Sequence, residues 1–395
     1  MSQEPSNDTQ LLLGRVLAPS GFINQGALLI EDGKLVFVGA EDELPGVYAG
    51  LPASQVTLTG GTLIPGFIDI HVHGGSGYDF MDAAPHVLDA ITSFHCSQGT
   101  TAMLATTVTA PRDRLSEVLD HVHAYMQKEM PYAALEGVHL EGPFISPLWS
   151  GAQNPAHIAA PTTSWLESWE QQYPGLIRQL TLAPEREGAL EVIAWLKQHQ
   201  IIAALGHTNA AYEEVERAVE AGLHHAVHTF NAMTPLHHRQ PGAVGAVLGD
   251  SRISAEIIAD GIHVHPAAIQ ILAKIKQENN LVLITDAISA AGLEDGPYTL
   301  GDLPVLVHDG VARLEDGKTL AGSTLTMIRG FRYLVQTVGL SIEEASHAAS
   351  GTPARLLGID HRTGSLEAGK QADLLLLDEQ LELQGVWVKG IQKLK

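Results

Sequence analysis

Short apolar runs alternate with amphipathic stretches along most of the chain from residue 66 onward. The apolar runs predict buried β-strands at 66–72, 100–109, 134–141, 179–183, 201–206, 224–230, 252–259 and 281–286. Between most of them, apolar residues recur with helical periodicity, as at 112–128, 186–199, 210–221 and 266–279. Eight consecutive strand–helix units predict an α/β fold, a (β/α)8 TIM-like barrel. The alternative is a doubly wound open sheet, but no glycine-rich dinucleotide-binding pattern follows the first strand.

The two chain ends show a different pattern, with short strands and turns. Residues 11–64 contain several apolar runs, and the hairpin sequence Asp32-Gly33 separates two of them. Residues 359–395 are again β-like, after helices predicted at 323–338 and within 341–358. Because the tail cannot easily form a stable sheet alone, we expect both ends to pair in one small β-sandwich domain. The barrel, residues 65–358, is then inserted between its halves, and we expect residues 1–10 to be disordered.

Composition narrows the class of protein. No apolar run reaches the ~20 residues that a membrane helix needs, and the polar N-terminus does not have the pattern of a signal peptide. The chain has one cysteine, Cys96, which excludes an internal disulfide framework and fits a reducing cytoplasm. Its net charge of −22 argues against nucleic acid and anionic membranes as partners. An anionic substrate would therefore need a local basic pocket.

A histidine pair ends the first predicted barrel strand, in the sequence PGFIDIHVHG at 65–74. Side chains alternate along a strand, so His71 and His73 point to the same face. Such a pair can bind a divalent metal, or it can be a hydrogen-bonded pair in the core. The pair alone does not favour either interpretation.

Other strand ends supply further metal-capable side chains. They are Glu141 on strand three, His207 on strand five, His228 on strand six and Asp286 on strand eight. One such residue often only caps a helix or forms a hydrogen bond. Six on the same barrel rim predict a site for one or two divalent ions, and nitrogen and oxygen donors suit Zn, Fe, Mn or Co.

Two sub-sites can be drawn from these residues. Glu141, His207 and His228 make one, and His71 with His73 make the other. No lysine stands at a strand end, so Glu141 is the candidate for a bridging ligand. Asp286 is best placed as a general base, taking a proton from water and returning it to a leaving amine. The expected chemistry is hydrolysis of an amide or a related C–N bond.

These motifs resemble the amidohydrolase superfamily, and within it the N-acetylglucosamine-6-phosphate deacetylases. The resemblance covers almost the whole chain and rests on HLEGPF at 139–144, GHT at 206–208, HTFNAM at 228–233, TDAISAAG at 285–292 and LAGSTLTM at 320–327. It implies a barrel with a small β-sandwich. It also implies hydrolysis of N-acetylglucosamine 6-phosphate to glucosamine 6-phosphate and acetate, in amino-sugar catabolism and cell-wall sugar recycling. Glu141, His207 and His228 then bind metal, and Asp286 is the acid–base residue.

The resemblance also implies a set of substrate-binding residues. They are Ala152, Asn231, Ala232, Arg239, His263, Leu320, Ala321 and Gly322. It implies a homodimer, in which Arg239 reaches the phosphate in the neighbouring subunit's site. Some members of the family have a histidine where this chain has Gln153, and that histidine helps to polarise the substrate carbonyl. Either Gln153 or a second metal ion takes its place here.

Two other functions remain open on sequence grounds. The first is another amidohydrolase, which would cleave an N-acyl amino acid or a cyclic amide with the same metal site. The second is a non-enzymatic scaffold with the same fold, although scaffolds typically lose metal ligands. His139 lies two residues before Glu141 and faces the same side of its strand, where it either supports the site or only packs.

Overall fold

The computed structural model describes residues 8–48, 50–82 and 84–394. The chain first forms four strands of a terminal sheet: β1 (Gln10–Ala18), β2 (Gly21–Glu31), β3 (Lys34–Ala40) and β4 (Val56–Pro65). Strands β2 and β3 form an antiparallel hairpin. Its turn has φ 47° at Asp32 and 74° at Gly33, which are the left-handed conformations that Asp-Gly turns adopt.

The predicted disorder of residues 1–10 falls mainly outside the described residues, since residues 1–7 are not described. Strand β1 already begins at Gln10, and its partner there is Ile30 of β2. The prediction is therefore wrong at Gln10, because pairing with β2 orders the chain from that residue.

The central part of the chain forms an eight-stranded parallel barrel. Strand β5 (Phe67–Asp69) comes first, and a two-stranded ribbon follows it, β6 (Gly74–Gly75) with β7 (Tyr78–Asp79). Seven more strands complete the sheet: β8 (Thr100–Thr107), β9 (Ala134–Glu141), β10 (Ile177–Leu182), β11 (Ile202–Leu205), β12 (His225–Ala226), β13 (Ser254–Ile258) and β14 (Leu281–Ile284). Just beyond β14 and β5, the Asp286 N–H donates to the His71 carbonyl at 2.9 Å. The barrel is nearly closed, so the predicted barrel is confirmed and the open sheet is wrong.

Helices surround the barrel: α1 (Pro85–Ser97), α2 (Arg112–Met126), α3 (Thr163–Gln172), α4 (Ala189–Gln198), α5 (Tyr212–Ala221), α6 (Gly242–Gly249) and α7 (Pro266–Asn280). Their buried residues follow the helical repeat. In α2, Leu115, Val118, Leu119 and Val122 are all buried on one face. The four helices named from the sequence are confirmed within three residues at each end.

A three-stranded antiparallel sheet follows the last barrel strand and was not predicted. It consists of β15 (Gly296–Leu300), β16 (Leu303–His308) and β17 (Val311–Leu314). Three further helices follow: α8 (Met327–Tyr333), α9 (Ile342–Ser346) and α10 (Thr352–Leu356). The first begins four residues later than predicted because Ser323 pairs in parallel with Ala287 as an isolated bridge.

The C-terminal strands complete the terminal sheet. They are β18 (Leu374–Leu377), β19 (Leu383–Val388) and β20 (Ile391–Leu394). Strand β18 pairs antiparallel with β4, and the seven strands have the order β20-β19-β18-β4-β1-β2-β3. Leu12, Leu28, Leu63, Leu374 and Trp387 from both chain ends pack in one core. The predicted association of the two ends is confirmed, while the domain limits at 64/65 and 358/359 stay a prediction.

None of the helices in the described ranges is long and apolar enough to cross a membrane.

Candidate metal and substrate site

A cavity of about 550 Å³ opens at the carboxyl ends of the barrel strands. Enzymes with this fold place their active sites on this face. Five of the six predicted metal-capable residues line it: His73, Glu141, His207, His228 and Asp286. The sixth, His71, is fully buried beside them. The structure therefore brings all six residues together.

Glu141 lies at the centre of this group. Its Oε1 atom is 3.0 Å from His228 Nε2 and 3.2 Å from the Nε2 atoms of both His207 and His71. Its Oε2 atom is 3.4 Å from His73 Nε2. One carboxylate thus contacts four imidazoles from three strand ends, which is the arrangement expected of a bridging ligand.

Asp286 extends the group beside the histidine pair. Its Oδ1 atom is 3.1 Å from His73 Nε2 and 3.7 Å from His71 Nε2. His71, His73 and Asp286 form one set of potential metal ligands, and His71, Glu141 and His228 form another. The structure therefore places Asp286 beside the histidine pair, whereas the sub-site drawn from the sequence did not include Asp286.

The backbone turns sharply at three of the strand ends. The φ angles are 48° at His207, 27° at His228 and 50° at Asp286. Left-handed backbone at a non-glycine residue costs energy and is concentrated at functional sites. Here the turns accompany side chains that line the cavity.

The residues fit a metal ion by their donor atoms. The Nε2 atoms of His228 and His207 face each other at 3.1 Å, and His71 Nε2 is buried without a hydrogen-bond partner. His207 Nδ1 donates to the Trp149 carbonyl at 3.2 Å, which leaves its Nε2 lone pair for the centre of the group. Converging imidazole nitrogens beside carboxylates are the donors that borderline divalent ions prefer.

The site also favours positive charge. Burial lowers the pKa of His73, but hydrogen bonds to Asp286 and Glu141 outweigh it and raise that pKa to about 9. Burial raises the pKa of Glu141, while the charge of His71 and the adjoining His207 and His228 rings bring it well below its usual value. The buried carboxylates thus stabilise a cation at this position.

The predicted substrate residues are only partly brought together. Those that line the cavity are Ala152, Gln153, Asn231, Ala232, His263, Leu320 and Gly322. Ala321 is fully buried, and its N–H donates to the Ala312 carbonyl at 3.1 Å. Arg239 is exposed on a loop outside the cavity of its own chain, with its guanidinium 2.7 Å from His238 Nε2.

Both polar atoms of the Gln153 side-chain amide form hydrogen bonds. Its Oε1 accepts from the Thr109 N–H at 2.6 Å, and its Nε2 donates to Glu141 Oε2. The side chain is 3% exposed. Its contacts are those of a residue that holds Glu141 in place.

His139 is buried behind the histidine pair. Its Nε2 is 2.8 Å from Thr181 Oγ1, and its ring centroid is 4.6 Å from that of His71 in an edge-on contact. Burial lowers its pKa well below the usual range. His139 is therefore a neutral imidazole that packs directly against a candidate ligand.

Sequence reasoning missed several residues of the site. Trp149, Lys318 and Thr319 line the cavity from loops for which no element was predicted. Asp260 accepts from His263 Nδ1 at 2.7 Å and orients that ring. A usable sign was present only for Asp260, since an acidic residue three positions before a site histidine can reach it in a turn.

The sequence matches the amidohydrolase family over residues 62–393. It is 40% identical over 376 residues to N-acetylgalactosamine-6-phosphate deacetylase of Escherichia coli O157:H7, covering 95% of this chain and 97% of that one. It is 39% identical to N-acetylglucosamine-6-phosphate deacetylase of Bacillus subtilis (strain 168), covering 93% of this chain and 92% of that one.

Solved structures show the same similarity. A variant of N-acetyl-D-glucosamine-6-phosphate deacetylase from Mycobacterium smegmatis, in complex with N-acetyl-D-glucosamine-6-phosphate, superposes with a TM-score of 0.90. The two are 35% identical, over 98% of this chain and 100% of that one. The Thermotoga maritima N-acetylglucosamine-6-phosphate deacetylase has a TM-score of 0.87 and 36% identity, over 98% of this chain and 100% of that one.

Proposed function

The chain belongs to the amidohydrolase family, and we propose that it hydrolyses N-acetylglucosamine 6-phosphate to glucosamine 6-phosphate and acetate in amino-sugar catabolism and cell-wall sugar recycling. The observation that carries the proposal is the contact of Glu141 with four imidazoles at the cavity, within 3.4 Å. Deacetylases of phosphorylated amino sugars, 39–40% identical over nearly the full chain, support the substrate class.

Six residues would hold the metal, in two overlapping groups. Glu141, His207 and His228 form one, and His71, His73 and Asp286 form the other, with Glu141 reaching both. When bound, a divalent ion supplies Lewis-acid chemistry, polarising the carbonyl and making water more acidic. Because both groups are complete, we propose two ions per chain.

Asp286 is the proposed acid–base residue. It takes a proton from water as the water oxygen bonds to the acetyl carbon, and then gives that proton to the amine nitrogen. The C–N bond breaks as the amine leaves, so acetate and the free amino sugar are the products. Gln153 holds Glu141 during this step through its amide.

We propose that the sugar binds along the residues lining the cavity outside the metal groups: Ala152, Asn231, Ala232, His263, Leu320 and Gly322. His263 is pre-oriented because Asp260 accepts from its Nδ1 at 2.7 Å. A fixed ring donor or acceptor loses little entropy on binding a hydroxyl group.

Arg239 is proposed to bind the substrate phosphate in the neighbouring subunit of a homodimer. It is exposed and lies outside the cavity of its own chain. In the proposed dimer its positive charge faces the cavity of the second chain. A guanidinium binds phosphate through paired hydrogen bonds.

Subunit complementation tests this arrangement. We expect a mixture of Arg239→Ala and Asp286→Asn chains, unfolded and refolded together, to regain activity. One site of each mixed dimer then has an intact Asp286 and the partner's intact arginine. A mixture no more active than the two variants assayed separately would overturn the shared site.

Acetate release from three sugars tests the proposed substrate. We expect rapid turnover of N-acetylglucosamine 6-phosphate and at least tenfold slower turnover of the unphosphorylated sugar at equal low concentration. Equal rates would overturn the proposal in favour of another amide substrate. N-acetylgalactosamine 6-phosphate belongs in the same assay, since one relative is named as the deacetylase of that epimer.

We further propose a cytoplasmic location. Burial raises the pKa of the Cys96 thiol to about 11, so the protein's one cysteine is an unreactive thiol, suited to a reducing compartment. Fractionation of cells that produce the chain tests this, and recovery outside the cytoplasmic fraction would overturn it.

A further inference from the structure

A carboxylate with no role in the chemistry above lies beneath the metal groups. Glu256 is in the middle of strand β13 and is fully buried. A buried carboxylate is destabilising unless charged or polar partners surround it. Its partners here come from three other barrel strand segments, so they meet inside the barrel.

Four donors surround the two carboxylate oxygens. Oε1 is 2.9 Å from His225 Nε2 and 3.1 Å from Gln179 Nε2. Oε2 is 2.8 Å from His71 Nδ1 and 3.2 Å from the backbone N of His228. Each oxygen therefore accepts two hydrogen bonds, and the carboxylate is held in one orientation.

The contact with His71 sets the state of that ring. A carboxylate can only accept, so Nδ1 of His71 carries a proton, and the ring that binds a metal ion through Nε2 keeps that proton. The lone pair on Nε2 then faces Glu141 Oε1 at 3.2 Å and Asp286 Oδ1 at 3.7 Å. This is the tautomer and the orientation that a metal ligand needs.

The contact with His228 acts through the backbone. The His228 N–H donates to Glu256 at the point where φ is 27°. This bond stabilises a left-handed turn that would otherwise be unfavourable. The same carboxylate therefore touches one ligand from each metal group.

We propose that Glu256 is the positioning residue of the whole metal centre, fixing the His71 tautomer and the His228 backbone from below. The inference rests on the metal site of the proposed function. It goes further in naming one buried carboxylate that couples the two groups.

The test is Zn²⁺ affinity of Glu256→Gln, measured on metal-free protein by chelator competition without substrate. The amide has the same shape, but its NH₂ takes the place of one oxygen and faces two of the four donors. With the NH₂ toward His71, that ring must accept on Nδ1 and carries its proton on Nε2; with the NH₂ toward His225 and Gln179, the negative charge that holds His71 and His228 is still lost. We expect about 10–100-fold weaker Zn²⁺ binding, with bound Zn²⁺ per chain falling from two to one at a buffered free Zn²⁺ concentration that just fills both wild-type groups.

Asp373→Asn is the matched control. Asp373 is also a buried carboxylate, 6% exposed, and accepts from Thr363 Oγ1 at 2.8 Å and from the Lys389 N–H at 2.7 Å in the terminal sheet. We expect that variant to lose thermal stability but to keep the wild-type Zn²⁺ affinity. Wild-type affinity in folded Glu256→Gln would overturn the inference.

A second variant and a direct readout keep the test decisive if Glu256→Gln does not fold. Glu256→Asp keeps the charge but withdraws it from His71, so Zn²⁺ binding should weaken. At a pH where the His71 ring is neutral, ¹⁵N shifts of the metal-free protein should show loss of the Nδ1-protonated tautomer. Unchanged affinity and tautomer would contradict the proposal. A wild-type protein that binds no divalent ion would instead overturn the proposed function itself.

Discussion

Neighbouring residues hold Asp286 in place before any substrate binds. Its N–H donates to the His71 carbonyl at 2.9 Å, and its own carbonyl accepts from the Ser323 N–H at 2.7 Å. Burial raises the pKa of its carboxyl group, but the charge of His71 and the hydrogen bond from His73 have a larger, opposite effect. The pKa of Asp286 therefore lies below its usual value. The group is thus ionised at neutral pH, as a general base must be.

We expect Asp286→Asn to reduce kcat by roughly 100-fold or more, because acid–base catalysis contributes about 10²–10⁴ in rate. The fold should be retained, since asparagine tolerates the φ of 50° found here. Metal at Glu141, His207 and His228 should also remain. Steady-state kinetics with elemental analysis check this.

A matched control is Asp42→Asn, an exposed carboxyl group outside the barrel, which should leave kcat unchanged. Near-wild-type turnover in Asp286→Asn would contradict the assignment of the base.

We expect Arg239→Ala to raise KM for the phosphorylated sugar by roughly 10–100-fold, because a hydrogen bond to a charged group contributes about 1.5–3 kcal/mol. Metal content and kcat should change little. Kinetics with phosphorylated and unphosphorylated substrate separate the phosphate contribution from the rest.

Arg217→Ala is the control for lost positive charge, since Arg217 is a solvent-exposed arginine on α5 with a weak contact to Glu214 at 3.9 Å. An unchanged KM in Arg239→Ala would remove Arg239 from the site.

At the scale of elements, helix α1 is attached to the site rim by a buried histidine. His95 Nε2 donates to the Gly74 carbonyl at 2.9 Å, one residue after His73. Burial lowers the His95 pKa from 6.5 to about 4, so the folded state requires the neutral ring. The unfolded chain binds a proton below pH 6.5, and stability must therefore fall as pH drops from 6.5 toward 4.

We expect His95→Gln to show a shallower loss of unfolding free energy than the wild type over this pH range. Glutamine can still donate to Gly74 but does not titrate. The difference in slope should reach at most about 1.4 kcal/mol per pH unit. Urea unfolding at fixed metal concentration between pH 4.5 and 7.5 measures it, and parallel slopes would refute it.

The three-stranded sheet β15–β17 is the element that the hydrophobic pattern did not reveal. Its strands have four to six residues, and several of their residues are exposed, so the apolar alternation is short. Yet the segment brings Leu300 and Lys318 to the cavity. Short, half-exposed strands depend on their neighbours for pairing, and a local pattern contains little of that information.

At the scale of the whole molecule, the terminal sheet joins the first and last parts of the chain. Strand β18 pairs with β4 in the register Leu374↔Pro65, directly before the first barrel strand. Trp387 of β19 is 2% exposed and packs in the same core. The C-terminus thus supports the base of the strand that carries His71 and His73.

We expect deletion of residues 383–395 to reduce the yield of folded protein severely, because it removes Val386, Trp387 and Val388 from the core and exposes the edge of β18. Thermal unfolding and soluble yield measure the effect. Deletion of residues 391–395 is the control, since no residue of β20 is buried, and equal loss in both truncations would refute the argument.

The sequence by itself determined the barrel, the association of the chain ends and the six metal-capable residues. These properties follow from local patterns: strand-length apolar runs, helical periodicity, and polar residues that interrupt an apolar run at a strand end. The histidine pair at 71 and 73 was readable for this reason.

Only the tertiary structure decided how those residues act together. Contacts between distant strands place Asp286 beside the histidine pair, bind the Gln153 amide to Glu141 and surround Glu256 with four donors. A glutamate inside an apolar strand has the same sequence pattern whether it faces solvent or four donors. The physical reason is that such contacts depend on how the barrel closes, and closure is a property of the whole chain.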